Sequence, residues 1–430
     1  MSQIDIFGVF NLKGNDVMNA FISADILLPR TDAMEKWAVI ACDQFTSDPE
    51  YWERVRKNAE GAVSAINLIL PEAELGTEQE EKHIELINRT MGEYMANNVF
   101  AVYPNSYIYV ERTLENGTIR KGLMGMVDLE TYDFSAGSVS AIRATEKTVV
   151  ERIPPRMRVR RNASVELPHI LMLCDDHERV LIEPVAAVKD TLKKVYDFDL
   201  MEDGGHITGW LVDGETAAAF DKRLTDYTAT VDKKYEGLNG TPMVFAVGDG
   251  NHSLATAKSC YEELKVQNPN ADLSAHPARF ALVELENIHD EAQVFEPIHR
   301  VICKTDADAL LAALQKEACA EDGFALQWYI GDRSGTVYLD KSRSQLAVGV
   351  LQAFLDDYLK THEGEIDYIH DDDALIALAQ KPDSIGFLLP SMEKSQLFRG
   401  VIADGVLPRK TFSMGHAREK RYYLEARAIR

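Results

Sequence analysis

The sequence is poor in the residues that staple small or extracellular proteins together. It has five cysteines in 430 residues, an odd number with no CxxC pair. That argues against a disulfide scaffold or a structural zinc site and for a reducing, cytoplasmic setting. Positive charge is also scarce: 46 Lys+Arg face 69 Asp+Glu, for a formal net charge of −23. A surface of that sign repels phosphate backbones and anionic lipid, so neither nucleic acid nor membrane is an expected partner. No stretch reaches the roughly 18 apolar residues of a membrane span, and the start, MSQIDIFGVFNLKG, lacks a basic-then-apolar leader pattern. Repeats and low-complexity tracts are absent. So are a Walker A loop, a GxGxxG fingerprint, HExxH, GxSxG and the kinase HRD and DFG sets, which leaves the standard nucleotide and hydrolase classes without support.

What is present is the composition of a folded protein, 46% hydrophobic and 27% charged, with enough apolar surface to offset chain entropy. The length fits two to three lobes at about 150 residues each. Turn residues in KKYEGLNGT, Lys233 to Thr241, mark the best seam. The expected division is 1–235 and 236–430, or one intertwined domain.

A capping box at Thr77 and Glu80, with Ile84, Ile87, Met91 and Met95 at helical spacing, predicts a helix over Glu72 to Asn98. Asn116-Gly117 between Tyr107–Val110 and Leu123–Val127 predicts a β-hairpin. A second hairpin is expected where Leu326–Ile330 and Thr336–Leu339 flank Ser334-Gly335. Hairpins and strand-to-helix units occur without regular βαβ alternation, so the expected class is α+β, with mixed or antiparallel sheets flanked by helices.

The chemistry concentrates in one segment. Pro242–Val247 reads as a buried strand, Gly248-Asp249-Gly250-Asn251-His252 as a turn, and Leu254, Ala257, Tyr261 and Leu264 as one face of a helix. Two glycines allow a tight turn and close backbone approach, and the N-H groups of a helix start favour an anion, naturally a phosphate. Asp249 could cap the helix, hold magnesium or accept a hydroxyl proton. His252 could satisfy a carbonyl, donate to a phosphate oxygen or relay a proton. The run ERIPPRMRVRR sets arginines at 152, 156, 158, 160 and 161 around Pro154-Pro155: either a solvated arm or loop, or a wall facing an anion.

These residues carry a resemblance. VGDGNHSLATAKSCYE, Val247 to Glu262, resembles the DGHHRYETA signature of the bacterial and archaeal family known as domain of unknown function 1015. Further stretches match in order along nearly the whole chain: CDQFTSDPEYW (Cys42 to Trp52), IRATEKT (Ile142 to Thr148), FEPIHRVI (Phe295 to Ile302), IDYIHDDDAL (Ile366 to Leu375) and LPRKTFSMGH (Leu407 to His416). The turn is remotely similar to that of the ParB, sulfiredoxin and free-serine kinase superfamily, where a strand, turn and helix start hold nucleotide phosphates. Asn251 stands where the family pattern has its first histidine and Ser253 where it has arginine, so a phosphate ligand that the family pattern implies is missing from the turn. An arginine of the 152 to 161 run, or Arg409 and Lys410, would have to stand in.

The resemblance implies a nucleotide-dependent phosphotransferase acting on a small hydroxyl-bearing metabolite. Asp249, His252 and Glu296 are its expected catalytic groups, and Gly248, Gly250, Asn251, Ser253, Arg409 and Lys410 its expected phosphate contacts, with ATP or ADP and Mg2+ as the cofactor and a phosphorylated small molecule as the ligand. The alternatives are a non-catalytic nucleotide or metabolite sensor and a metal-dependent phosphatase using Asp249, His252 and His299. Other candidates are Arg300 beside His299, His370 with Asp371 to Asp373 as a magnesium site or helix cap, Thr411 and Ser413, Asp43 or Gln44, and His416.

Overall fold

A computed structural model describes residues 19–41, 45, 48–415 and 417–430. Cys42, Asp43, Gln44 and His416 lie outside the described residues. The architecture is mixed α/β, as expected. A central eleven-stranded sheet runs Tyr132–Asp133, Ile142–Ala144, Phe245–Asp249, Leu171–Cys174, Phe280–Asn287, Ile119–Asp128, Phe100–Thr113, His206–Val212, Lys193–Asp199. Two more strands, Phe21–Ile22 and Ala24–Pro29, pair off this path. Phe245–Asp249 is parallel to Ile142–Ala144, and Phe280–Asn287 is parallel to Leu171–Cys174. A second sheet of five antiparallel strands, Arg333–Leu339, Phe324–Ile330, Ser384–Leu388, His299–Cys303 and Glu365–Ile369, follows in sequence.

The central sheet is covered on both faces. Along Phe100–Thr113, Tyr107 and Tyr109 pack into one apolar cluster with Phe220 and Tyr227, while Ile108 and Val110 pack into another with Trp37 and Trp52. Period-two alternation with both sets buried needs a cover on each side. The strands at 245–249 and 280–287 belong to the same sheet as those before residue 235, so the 233–241 seam joins two parts of one sheet. The C-terminal segment returns to the start of the described chain: Leu27 bridges Ala426, Val39 bridges Tyr423, and the Trp37 indole donates to the Leu424 carbonyl at 2.7 Å.

The first hairpin reading holds. Asn116-Gly117 lies between strands 100–113 and 119–128, with Gly117 at φ +79°. Asp48 caps the helix Pro49–Ala59 through the Tyr51 N-H. Two readings need correction. The long helix starts at Glu80, and its N-cap residue, Gln79, makes no side-chain cap. Glu80 instead accepts the Gly76 N-H at 2.6 Å and pairs with Arg158, because a long-range cation outcompetes the local box. The second hairpin turns at Gly331-Asp332, three residues before the expected site. Gly335 lies within the strand opposite Trp328, whose ring occupies the space a Cβ there would need.

Candidate functional site

The strand Phe245–Asp249 ends at Gly250, and the helix Asn251–Gln267 begins at once. Gly250 is left-handed at φ +77°, and a Cβ would stand 2.9 Å from the Ile170 Cα. Only glycine fits so tight a strand-to-helix turn. The helix has no side-chain cap; the Gly250 N-H is taken by the Asp249 carboxylate at 2.8 Å and the Ser253 N-H by the Gly250 carbonyl at 2.9 Å. This helix start opens into a cavity of about 530 Å³, the size of small-molecule sites generally.

The arginine run is a helix, Ile153–Arg160, with Pro154 and Pro155 in the first turn, where a missing N-H does no harm. Arg152, Arg156 and Arg160 recur at four-residue spacing and line the cavity. The other two are used elsewhere: Arg158 donates to Glu80 at 3.1 Å and Arg161 to Glu263 at 2.8 Å. The wall reading therefore fits three of the five by position, though Arg160 is already paired with Glu166 at 2.6 Å, and the solvated-arm reading is replaced by packing against the Asn251–Gln267 helix.

The cavity gathers eight Lys/Arg and three carboxylates, a local excess of positive charge in an acidic protein. Lys147 and Arg152 form no ion pair among the described residues. Leu68, Ile69, Leu70, Leu75 and Met91 add apolar surface to the same lining. The site thus suits a ligand with both anionic and apolar parts.

Asp249, Gly248, Gly250, Asn251, His252, Ser253, Arg409 and Lys410 all line this one cavity. Asp249 pairs with Lys420 at 3.1 Å and accepts the Gly250 N-H at 2.8 Å. Burial pushes its carboxyl up, but Lys420, His169 and that N-H outweigh it and hold the group below its ordinary value. His252 Nε2 accepts the Val149 N-H at 3.2 Å, so in the neutral ring the proton sits on Nδ1. The buried Asn251 Oδ1 has no hydrogen-bond partner among the described residues. Ser253 Oγ lies 3.4 Å from His169 Nε2.

Three candidates lie apart. Glu296 sits opposite Ser413 in a two-stranded ribbon, and Ser413 lines the cavity while Glu296 does not. His299 is buried, accepts the Leu389 N-H on Nδ1 and holds Asp372 at 2.7 Å through Nε2, anchoring the helix Asp372–Ala379. Asp371 caps that helix through the Ala374 N-H. His370, by contrast, does line the cavity.

Sequence reasoning missed Glu146 and His169. Glu146 follows the strand Ile142–Ala144, which runs parallel to Phe245–Asp249 with Ala144 opposite Val247. Glu146 and Asp249 are each two residues past that pair, at the C-terminal edge where open α/β sheets bind ligands. Glu146 accepts the Thr411 N-H at 3.1 Å and the Lys410 N-H, and burial raises its carboxyl pKa above the ordinary glutamate value. The quoted IRATEKT stretch contains it, but nothing local distinguishes it from a surface acid.

The family model described as protein of unknown function (DUF1015) matches residues 25–425. The chain belongs to this family. A search of curated proteins finds no match. Among solved structures, a free serine kinase in complex with AMP is similar at 12% identity and TM-score 0.35, over 70% of this chain and 90% of that one. A conserved hypothetical protein from Pyrococcus furiosus is 12% identical at TM-score 0.34, over 70% of this chain and 93% of that one. SbnI from Staphylococcus aureus, with a C-terminal truncation, is 10% identical at TM-score 0.34, over 68% and 83%. No helix among the described residues is long and apolar enough to cross a membrane.

Proposed function

We propose that this protein is a nucleotide-dependent phosphotransferase acting on a small hydroxyl-bearing metabolite. The observation that supports it is the convergence, in one cavity, of an uncapped helix start, the Arg152-Arg156-Arg160 face and the Arg409-Lys410 pair around Glu146 and Asp249. On this reading the nucleotide phosphates rest on residues 250–253 and the arginine face, with the base against the apolar lining at Leu68 to Leu75. Glu146, its carboxyl raised by burial, takes the acceptor's hydroxyl proton. The new O–P bond forms as the bond from the terminal phosphorus to its bridging oxygen breaks, and the nucleotide leaves one phosphate shorter. Arginines and backbone N-H groups stabilise the charge on the transferred group.

No group of three metal-ligating side chains occurs among the described residues. Magnesium would therefore be held mainly by phosphate oxygens, with Asp249 as its protein ligand, and would supply charge neutralisation there. The test is to incubate the protein with ATP or ADP, Mg2+ and a panel of hydroxyl compounds, and to follow new phosphate esters by phosphorus NMR. No product across the panel sinks the reading.

A second reading, a non-catalytic nucleotide sensor, is favoured by the engagement of Asp249 with Lys420 and of His252 with Val149. Nucleotide bound for hours without consumption would select it.

A further inference from the structure

Glu166 and Arg160 stand together in the wall of the cavity. Arg160 is the last residue of the helix Ile153–Arg160, which packs on the helix Asn251–Gln267, while Glu166 lies on the short strand Val165–Glu166. Arg160 Nη2 donates to Glu166 Oε2 at 2.6 Å. The other carboxylate oxygen, Oε1, takes the Arg427 Nε-H at 2.8 Å and the Leu282 N-H at 2.9 Å. One carboxylate thus joins the arginine helix, the central sheet and the C-terminal strand.

That strand, Arg427–Ala428, pairs antiparallel with Val165–Glu166 and sets Arg427 directly opposite Glu166. Arg427 is itself fixed, since its Nη2 donates to the carbonyls of Pro277 and Phe280, and Asp25 adds a longer-range attraction. Burial pushes the Glu166 carboxyl up, but Arg160, Arg427 and the Leu282 N-H outweigh it and hold the group below its ordinary value. Glu166 is therefore a charged anchor at neutral pH.

Arg160 spends one nitrogen on this anchor. Its Nε and Nη1 make no hydrogen bond among the described residues, and neither is buried. A guanidinium held at one corner in a cavity wall keeps its remaining N-H groups oriented for an incoming anion. Holding it beforehand also removes rotamer entropy that binding would otherwise cost.

We infer that Glu166 is a positioning residue for the anion site, holding Arg160 so that its remaining N-H groups meet a phosphate of the bound ligand. The inference rests on the phosphotransferase reading for the identity of the ligand, and deepens it. An acid in the wall, which by charge alone opposes an anion, serves to aim a cation. Through Arg427, which does not line the cavity, the last strand of the chain supports the site from behind.

A double-mutant cycle on binding tests this. Pyrophosphate and ADP are titrated calorimetrically into the full chain. Arg160→Gln is expected to lower the affinity for both tenfold or more, and Glu166→Gln at least fivefold. With Arg160→Gln already in place, Glu166→Gln should change affinity by less than twofold, because no guanidinium is left to aim. A carboxylate that only held the fold would cost as much in either background, and that result overturns the inference. So does tighter binding by Glu166→Gln, which would make Glu166 a competitor of the ligand, as do wild-type affinity in Arg160→Gln and failure of the wild-type chain to bind either probe. Should Glu166→Gln fail to fold, guanidinium nitrogen NMR of the wild-type chain decides, the Arg160 signals being assigned by their loss in Arg160→Gln. Separate, slowly rotating Nη signals that shift with pyrophosphate support the inference; averaged or unmoved signals refute it. Phosphate esters formed undiminished by Arg160→Gln would overturn this inference and leave the phosphotransferase reading standing. Pyrophosphate held through Arg160 with no ester formed would do the reverse.

Discussion

Lys420 reaches the Asp249 carboxylate at 3.1 Å, where the strand Phe245–Asp249 ends and the cavity begins. The same ammonium donates to the Met414 carbonyl at 3.0 Å, so one cation ties the strand-to-helix turn at Asp249-Gly250 to the C-terminal segment.

This pair sets a pH dependence. The folded Asp249 carboxyl is held below its ordinary value, so its contribution to stability is present above the unfolded pKa near 3.9 and is lost as pH falls through the folded pKa. Lys420→Met should lower stability at pH 7 by about 2 kcal/mol, and its difference from wild type should shrink as pH falls below about 3.9. Urea titrations at several pH values check this; a difference independent of pH would contradict it.

Glu146 behaves oppositely. Its carboxyl is raised by burial, so wild type loses stability as pH rises from about 4.3 through the folded pKa, while Glu146→Gln does not. The variant should match or exceed wild type in Tm at pH 8 and yet lose phosphoryl transfer by about 10² to 10⁴. As a base Glu146 must be ionised, so the acidic limb of kcat should lie above about 4.3. A limb at or below that value would remove Glu146 from the role.

The arginine helix offers a paired comparison. Arg152→Gln, at an exposed position without an ion pair, should leave Tm unchanged and weaken ADP binding about tenfold. Arg158→Gln, which breaks the Glu80 contact, should lower Tm and leave ADP binding within twofold. Equal effects of the two on ADP would mean that helix orientation does not matter.

Gly250→Ala should destabilise by more than about 2 kcal/mol, combining the left-handed penalty with the approach to the Ile170 Cα. Thermal unfolding with and without ADP would show lower Tm and a smaller ligand-induced shift. A well-folded variant with full binding would show that the turn can relax.

The strand-to-helix turn at Gly250 and the first hairpin were legible because both are written in contiguous residues: Gly250 and Asn116-Gly117 each enforce a local dihedral that few others adopt. The arginine run was legible as charge, but its helical form was not, since Pro154-Pro155 reads equally as a loop until the first turn of a helix claims it. Glu146 was illegible because its partners, Thr411 and Lys410, lie more than 260 residues away. Glu296 does not line the cavity although its strand partner Ser413 and its neighbour Ile298 do, a division that no short motif announces. The second hairpin was mis-set because Ser334-Gly335 mimics a turn pair, whereas Gly335 is there to make room for Trp328.

The pairing of Leu27 with Ala426 and of Val39 with Tyr423 also bears on the order of events in folding. Contacts of such sequence separation carry the largest loop-closure entropy and form late. Lys420 and Tyr423, part of the cavity wall, leave the ribosome after every other wall, so a nascent chain has a turn and an arginine helix but no finished site. The cavity wall is complete only in a chain whose residues 423–426 have met residues 27–39.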